Sequence, residues 1–213
     1  MREAFTVIKL LLTGELVKFS GQYFTISEAR LSIKPISRIP IFLAAVGPSM
    51  LKFAAENADG IILTAGSSAE YTKNAVRQIK DAEHWRTRDP VSIASLILLS
   101  IREKNESDAK AIEFVLRLLA FPGRAELMLQ DGTYNSAKLQ KMRKEVSRNR
   151  ISSAKMYLTE EIIDQVSVRG TLSECREKIW NLVEIGLNVP IILPTPNSVV
   201  PAMLIPNYFV GKA

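Results

Sequence analysis

Five consecutive residues, Ala44, Ala45, Val46, Gly47 and Pro48, carry the clearest chemical suggestion in the chain. They close a nearly unbroken apolar run, residues 39–46, and a helical pattern begins at Pro48. A strand running into a helix places unsatisfied N–H groups and the positive end of the helix dipole at the strand's carboxyl end. Such a place attracts anions, phosphate in particular. Gly47 lets a ligand approach the backbone because no Cβ intrudes. Pro48 suits a first helical position, where its missing N–H would have had no intrahelical partner. Thr64, Ala65, Gly66, Ser67 and Ser68 follow the next apolar run in the same way, and their hydroxyls could bind phosphate. Both turns also have plain readings. Gly-Pro is common punctuation between strand and helix, and Ser67 serves equally well as an N-cap.

Other reactive side chains are sparse. His84 is the one histidine, and no nucleophile or carboxylate stands at a spacing that would make it a general base. Cys175 sits in the first turn of a helical segment, where the dipole could lower a thiol pKa. The stretch 138–150 carries Lys138, Lys141, Arg143, Lys144, Arg148 and Arg150 against Glu145 alone. It could dock an anionic tail or nucleic acid, but no aromatic residues interleave for base stacking, so a solvated helix face is the better reading. No cluster has metal-ligand spacing, and neither a Walker nor a G-x-G-x-x-G pattern occurs.

The turns must be positioned by the elements around them. Residues 2–12 read as a helix with Phe5, Ile8, Leu11 and Leu12 on one face and Gly14 as its stop. Residues 16–26 alternate around Ser20-Gly21 and suggest a hairpin, with a loop to follow. After Gly47, the residues Met50, Leu51, Ala54, Ala55 and Ala58 make a helical stripe ended by Asn57. A second buried strand covers 60–65, and Ser67 with Glu70 forms a capping-box pattern that opens a helix to about Trp85. A third strand covers 92–101. Ser107 starts a helix with a stripe of Ala109, Ile112, Val115, Leu116 and Leu119, closed by Pro122-Gly123. Residues 124–158 are polar and basic, with weak helical periodicity. Thr159 caps a short helix, and Thr171 with Glu174 forms another capping box on a helix stopped at Gly186. A fourth strand covers 189–194. Strands alternating with helices mean an α/β fold with a parallel sheet.

Composition sets outer limits. At 213 residues the chain supports one sizeable core or two small ones. With 47% hydrophobic and 23% charged residues it has the balance of an ordinary globular protein. A net charge of +6 favours anionic ligands without indicating nucleic acid. No apolar run reaches the roughly 18–20 residues of a membrane span. Glu3 and the missing A-x-A site argue against a signal peptide. A single cysteine fits a reducing compartment, with cytoplasm as the default.

Three ordered segments resemble one family. REAFTVIKLLLTGELVKFSGQYFTI is similar to a family helix followed by an F-x-G-x-x-F hairpin. IPIFLAAVGPSMLKFAAENADGIIL carries an Ala-Ala-x-Gly-Pro turn and an Ala-Asp-Gly element. RGTLSECREKIWNLVEIGLNVPIILP matches a final Gly-Thr-x-x-Glu-Cys helix and last strand. Together they resemble the second half of the luciferase-like flavin and deazaflavin oxidoreductases, most closely the methylenetetrahydromethanopterin-reductase-like branch.

The resemblance implies a TIM-barrel-like (β/α) fold of which the four strands 39–46, 60–65, 92–101 and 189–194 are the last four. On this reading residues 1–213 form a single domain, N-terminally truncated relative to the family, with 124–158 as a basic, partly helical insertion. It implies cofactor contacts at Ala44, Ala45, Val46, Gly47, Pro48, Thr64 and Gly66, a structural Cys175, and no resident metal. The cofactor implied is a deazaflavin of the F420 type ahead of FMN. The activity implied is hydride transfer with a deazaflavin or monooxygenation with reduced FMN. The alternative is a non-catalytic half-barrel remnant that binds a flavin-like anion or only self-associates. Family catalytic groups of the N-terminal half map onto no residue here, and the substrate is not specified. Expected partners are a second copy or a missing half-barrel, with no nucleic acid and no membrane.

Overall fold

The computed structural model describes residues 1–84, 86, 89–101, 109–129 and 134–195. The chain divides into two compact units, one spanning Met1–Ile41 and the other beginning at Phe42.

The first unit holds α1 (Arg2–Leu11) and an antiparallel hairpin of β1 (Val17–Ser20) and β2 (Thr25–Ala29). Phe5 is buried as the helical stripe predicts, whereas Ile8 is exposed. The hairpin turn is organised by one side chain. The Glu3 carboxylate accepts the backbone N–H groups of Gln22, Tyr23 and Phe24 at 2.8, 2.8 and 3.0 Å. It occupies the space in front of Gly21, where a Cβ would lie 2.4 Å from Glu3 Oε2. A side chain in place of the glycine of the F-x-G-x-x-F segment would displace the carboxylate that organises the turn. Those N–H groups, Tyr23 foremost, hold the Glu3 carboxyl below its ordinary value of 4.5.

The second unit is an α/β layer structure. It contains β3 (Phe42–Ala44), α2 (Pro48–Asn57), β4 (Gly60–Leu63), α3 (Ala69–Glu83), β5 (Ser92–Ile101) and α4 (Ala109–Ala120). Four short helices follow: α5 (Arg124–Met128), α6 (Ser136–Ser147), α7 (Ile151–Lys155) and α8 (Glu160–Val166). It closes with β6 (Val168–Gly170), α9 (Leu172–Ile185) and β7 (Val189–Pro194). β3 to β7 form one sheet whose pairings are all parallel. Leu99 pairs with both Val168 and Pro194, so β6 and β7 flank β5 on opposite edges. Ala94 pairs with both Ile62 and Val189, which puts β4 on the β6 edge.

α2, α3 and α9 pack side by side, burying Leu51, Ala54, Ala75, Ile79 and Leu182. A second core gathers Leu116, Leu119, Met142 and Ile163 from α4, α6 and α8 around Leu98 of β5. The weakly periodic stretch 124–158 is thus mostly helical, held by a few buried residues per short helix. Expected and observed elements differ in three further places. The first strand of this unit is three residues long rather than 39–46, and β6 was not expected. Ser68, not Ser67, caps α3, accepting from Tyr71 N–H, so no capping box forms with Glu70. Thr171 and Glu174 do make both bonds of theirs, and Thr159 caps α8. Trp85 and Ser107 lie outside the described residues.

Two measurements check this description. Gly66 has φ +77°, and a Cβ there would fall 2.2 Å from Leu118 Cδ2. Gly66→Ala should cost about 1–3 kcal/mol of stability from strain and overpacking, read as a lower urea midpoint; an unchanged midpoint contradicts the packing. Because the folded-state pKa of Glu3 is depressed, its contribution to stability is present above pH 4.5 and is lost as pH falls through the folded value. The Tyr23 amide resonance should therefore titrate with a midpoint below 4.5, and a midpoint at or above it would count against the Glu3–turn contact.

Candidate functional site

In a parallel sheet all strands end on one side, and the turns leaving those ends form a common rim. The turn after β3 and the turn after β4 both lie on this rim. Ala44 is exposed, Ala45 is buried, and Val46 and Gly47 are half-buried. Gly47 is the N-cap of α2 and Pro48 its first residue. Met50 and Leu51 donate their N–H groups to the Gly47 carbonyl at 3.0 and 2.9 Å. Pro48 has none to give, so the Ser49 N–H is the first-turn donor with no acceptor among the described residues.

Gly47 differs from its neighbouring glycines. Its φ is −89°, open to any residue, and a Cβ would meet nothing within 4 Å. Gly60 lies under the Phe42 ring and Gly66 against Leu118, so folding accounts for both. Neither backbone conformation nor packing accounts for glycine at 47. What it leaves is clear space in front of a helix N-terminus.

Side chains further along lock this rim. Tyr71 donates its hydroxyl to the Val46 carbonyl at 2.6 Å, tying α3 to the first turn. Burial pushes its pKa up to about 12, against an opposing pull from the nearby Arg124 guanidinium, so the phenol stays a donor at any physiological pH. Arg124, at the start of α5, donates to the Thr64 hydroxyl. The Thr64 carbonyl accepts from Ser67 Oγ at 2.7 Å, and the same Ser67 oxygen lies 3.7 Å from Met128 Sδ. Arg86 reaches the other end of α2, donating to the carbonyls of Ala55 and Ala58 at 2.8 and 2.7 Å, where a helix leaves carbonyls unsatisfied.

Two cavities open near these turns. The larger, about 500 Å³, is lined by Val46, Pro48, Leu51, Tyr71 and Leu127, and its volume suits a ligand the size of a cofactor fragment. The smaller, about 180 Å³, touches Gly66, Ser67, Ser95, Asp164 and Lys178. It lies beside the middle of β5, where neither β4 nor β6 reaches Leu96–Leu98. The expected residues are thus shared out: Val46 and Pro48 on the larger cavity, Gly66 on the smaller, and Thr64 under Arg124. Tyr71 and Arg124 were not expected. Neither carries a local signal, because each acts on a residue 25 or 60 positions away.

The remaining candidates are accounted for without chemistry. Cys175 is fully buried, with Sγ 3.5 Å from the Gly170 carbonyl, in keeping with a structural role. His84 is exposed at the end of α3. Along α6, Leu139 and Met142 are buried, Arg143 is paired with Glu126 at 2.8 Å, and the lysines face solvent. No metal-binding group occurs among the described residues, and none of their helices is long and apolar enough to cross a membrane.

Comparison with known proteins agrees with this architecture. The family model described as luciferase-like monooxygenase matches residues 1–188. The 5,10-methylenetetrahydromethanopterin reductase of Archaeoglobus fulgidus is 26% identical over 193 residues, covering 88% of this chain and 57% of its own length. An F420-dependent glucose-6-phosphate dehydrogenase of Microbacterium testaceum is 29% identical over 117 residues, or 54% of this chain and 35% of the relative. Among solved structures, the coenzyme F420 dependent tetrahydromethanopterin reductase of Methanopyrus kandleri superposes with a TM-score of 0.77 at 24% identity, covering 92% of this chain and 56% of that one. The chain therefore spans a little over half the length of the reductases it matches. With its parallel sheet, its helical layer and a match over residues 1–188, the chain belongs to the luciferase-like monooxygenase family.

Proposed function

We propose that this chain holds the phosphate-bearing end of a flavin-like coenzyme for an oxidoreductase of the luciferase-like class. A deazaflavin of the F420 type is preferred to FMN. The observation that carries the reading is Gly47, a glycine the fold does not require, opening clear space before the α2 N-terminus. The preference for a deazaflavin rests on relatives whose names specify F420. An FMN-bound monooxygenase structure is also similar, at 13% identity and a TM-score of 0.52.

The bound coenzyme supplies the redox step, passing a hydride when it is a deazaflavin or reacting with oxygen when it is reduced FMN. The protein's own part is placement. The Ser49 N–H and the α2 dipole offer a phosphate one direct hydrogen bond and a favourable field. Ala44, exposed at the end of β3, adds no bulk beside the turn, and Ala45 is buried beneath it. Tyr71 fixes the Val46 carbonyl, so the turn does not rearrange when a ligand arrives. Thr64 and Gly66 border the same rim.

A second reading is a non-catalytic chain that binds such an anion or only self-associates. It is favoured by the rim's hydrogen bonds, which among the described residues join no nucleophile to a base. For catalysis we propose that a second copy or a complementary polypeptide pairs with β3 and β7, each of which has one strand neighbour among the described residues.

Titration with the deazaflavin coenzyme and with FMN, followed by visible absorbance and with mass measured in solution, decides between these readings. Binding with turnover in an assembly larger than the monomer supports the enzyme; a monomer that binds neither coenzyme refutes it. Gly47→Leu should weaken binding at least tenfold, about 1.4 kcal/mol, without lowering stability, and unchanged affinity would remove the turn from the site. Tyr71→Phe should cost about 0.5–1.5 kcal/mol of stability, the net value of one hydrogen bond, measured by chemical denaturation.

A further inference from the structure

Four described arginines are half-buried or buried: Arg86, Arg124, Arg143 and Arg169. Three have several acceptors each, although the buried Nε of Arg143 has no partner among the described residues. Arg86 donates to backbone carbonyls of Ala55, Ala58 and Asp89. Arg143 forms a two-pronged pair with Glu126 and also reaches the Phe121 carbonyl. Arg169 is paired with Asp164 and Glu160. Arg124 has one neutral acceptor, the Thr64 hydroxyl, and no carboxylate within ion-pairing distance among the described residues. Removing a guanidinium even partly from water without a countercharge is unfavourable, and its planar fork is built to grip an anion with two parallel hydrogen bonds.

Its position is held rather than incidental. Ala125 and Met128, on the same short helix, are fully buried, and Met128 Sδ meets Ser67. Glu126 is pinned by Arg143. α5 is thus clamped onto the turn that follows β4, with Arg124 over Thr64 and close enough to Tyr71 for its charge to act on the phenol. Tyr71 in turn holds the Val46 carbonyl of the neighbouring turn. The guanidinium is therefore fastened to the turn that follows β4, and Tyr71 links α3 to the turn that follows β3.

We infer that Arg124 is an anion-binding residue of this rim, taking a phosphate group of the bound molecule at the turn that follows β4. The inference rests on the coenzyme reading proposed above for the identity of the molecule, but not for the presence of the anion. The phosphate could belong to the coenzyme or to the substrate; the chemistry recognised is the same.

The test compares wild type with Arg124→Gln and Arg124→Lys. Each protein is titrated with FMN and riboflavin, and with the deazaflavin coenzyme and its phosphate-free deazaflavin. Each is also melted with and without inorganic phosphate. Wild type should prefer the phosphate-bearing form of either pair. Arg124→Gln should lose that preference by about 10- to 100-fold, the range expected for a hydrogen bond to a charged group, while phosphate-free forms bind as before. Arg124→Lys should recover part of it. Phosphate should raise the melting temperature of wild type and not of Arg124→Gln. If wild type prefers the phosphate-bearing forms and Arg124→Gln keeps the full preference, the Arg124 assignment falls and the coenzyme reading stands. If no flavin or deazaflavin binds wild type, the coenzyme reading falls and the melting arm decides: phosphate protection of wild type alone upholds Arg124, and equal or absent protection overturns it. Phosphate protection that needs Arg124, with no preference between the members of either pair, assigns the anion to the substrate.

Discussion

The backbone ladder of β5 is the interaction on which the second unit depends. Residues 92–95 pair with β4, 94–99 with β7 and 99–101 with β6, so one ten-residue strand sets the register of three others. Seven of its ten residues are apolar, the other three are serines, and seven are buried, which is what a strand covered on both faces demands. Parallel pairing throughout puts the carboxyl ends of the strands on one side. The turns at 44–48 and 64–68 lie there for that reason, and α5, whose Ala125 shares a core with Leu98, reaches Thr64 through Arg124.

Around this frame, the turns are stiffened by long-range bonds. Arg86 closes the C-terminal end of α2, Tyr71 holds the carbonyl just before its N-terminus, and Ser67 and Arg124 fasten α5 to the next turn. A rim fixed in advance loses little conformational entropy when it takes a ligand. Against that stiffness, the open space at Gly47 and the guanidinium of Arg124, which has no carboxylate partner among the described residues, stand out. One is room where the fold needs none, and the other is charge whose one acceptor among the described residues is neutral.

Much of this was legible in the amino-acid order. Apolar runs revealed β4, β5 and β7, Pro48 marked the first residue of α2, and Thr171 with Glu174 gave the start of α9 to the residue. The failures have physical causes. β6 is three residues long and centred on Arg169, so no apolar run betrays it; the arginine is buried because Asp164 and Glu160 pair with it. Ser67 and Ser68 are both competent caps, and only the helix's actual start selects Ser68. The short helices of 124–158 bury too few residues each to show a period. Arg124 looked like one cation in a basic stretch, because its meaning lies in a residue 60 positions earlier.

The central claim is that an anionic, flavin-like molecule binds at the carboxyl rim of this sheet. Backbone amide chemical shifts on adding the deazaflavin coenzyme test it most directly. The account predicts the largest changes at Ser49 and at residues 64–68, with Arg124 side-chain resonances moving alongside, and none at Asp59 or Ser92 at the opposite end of the strands. Saturable changes confined to that opposite end, or to the lysines of α6, would contradict it.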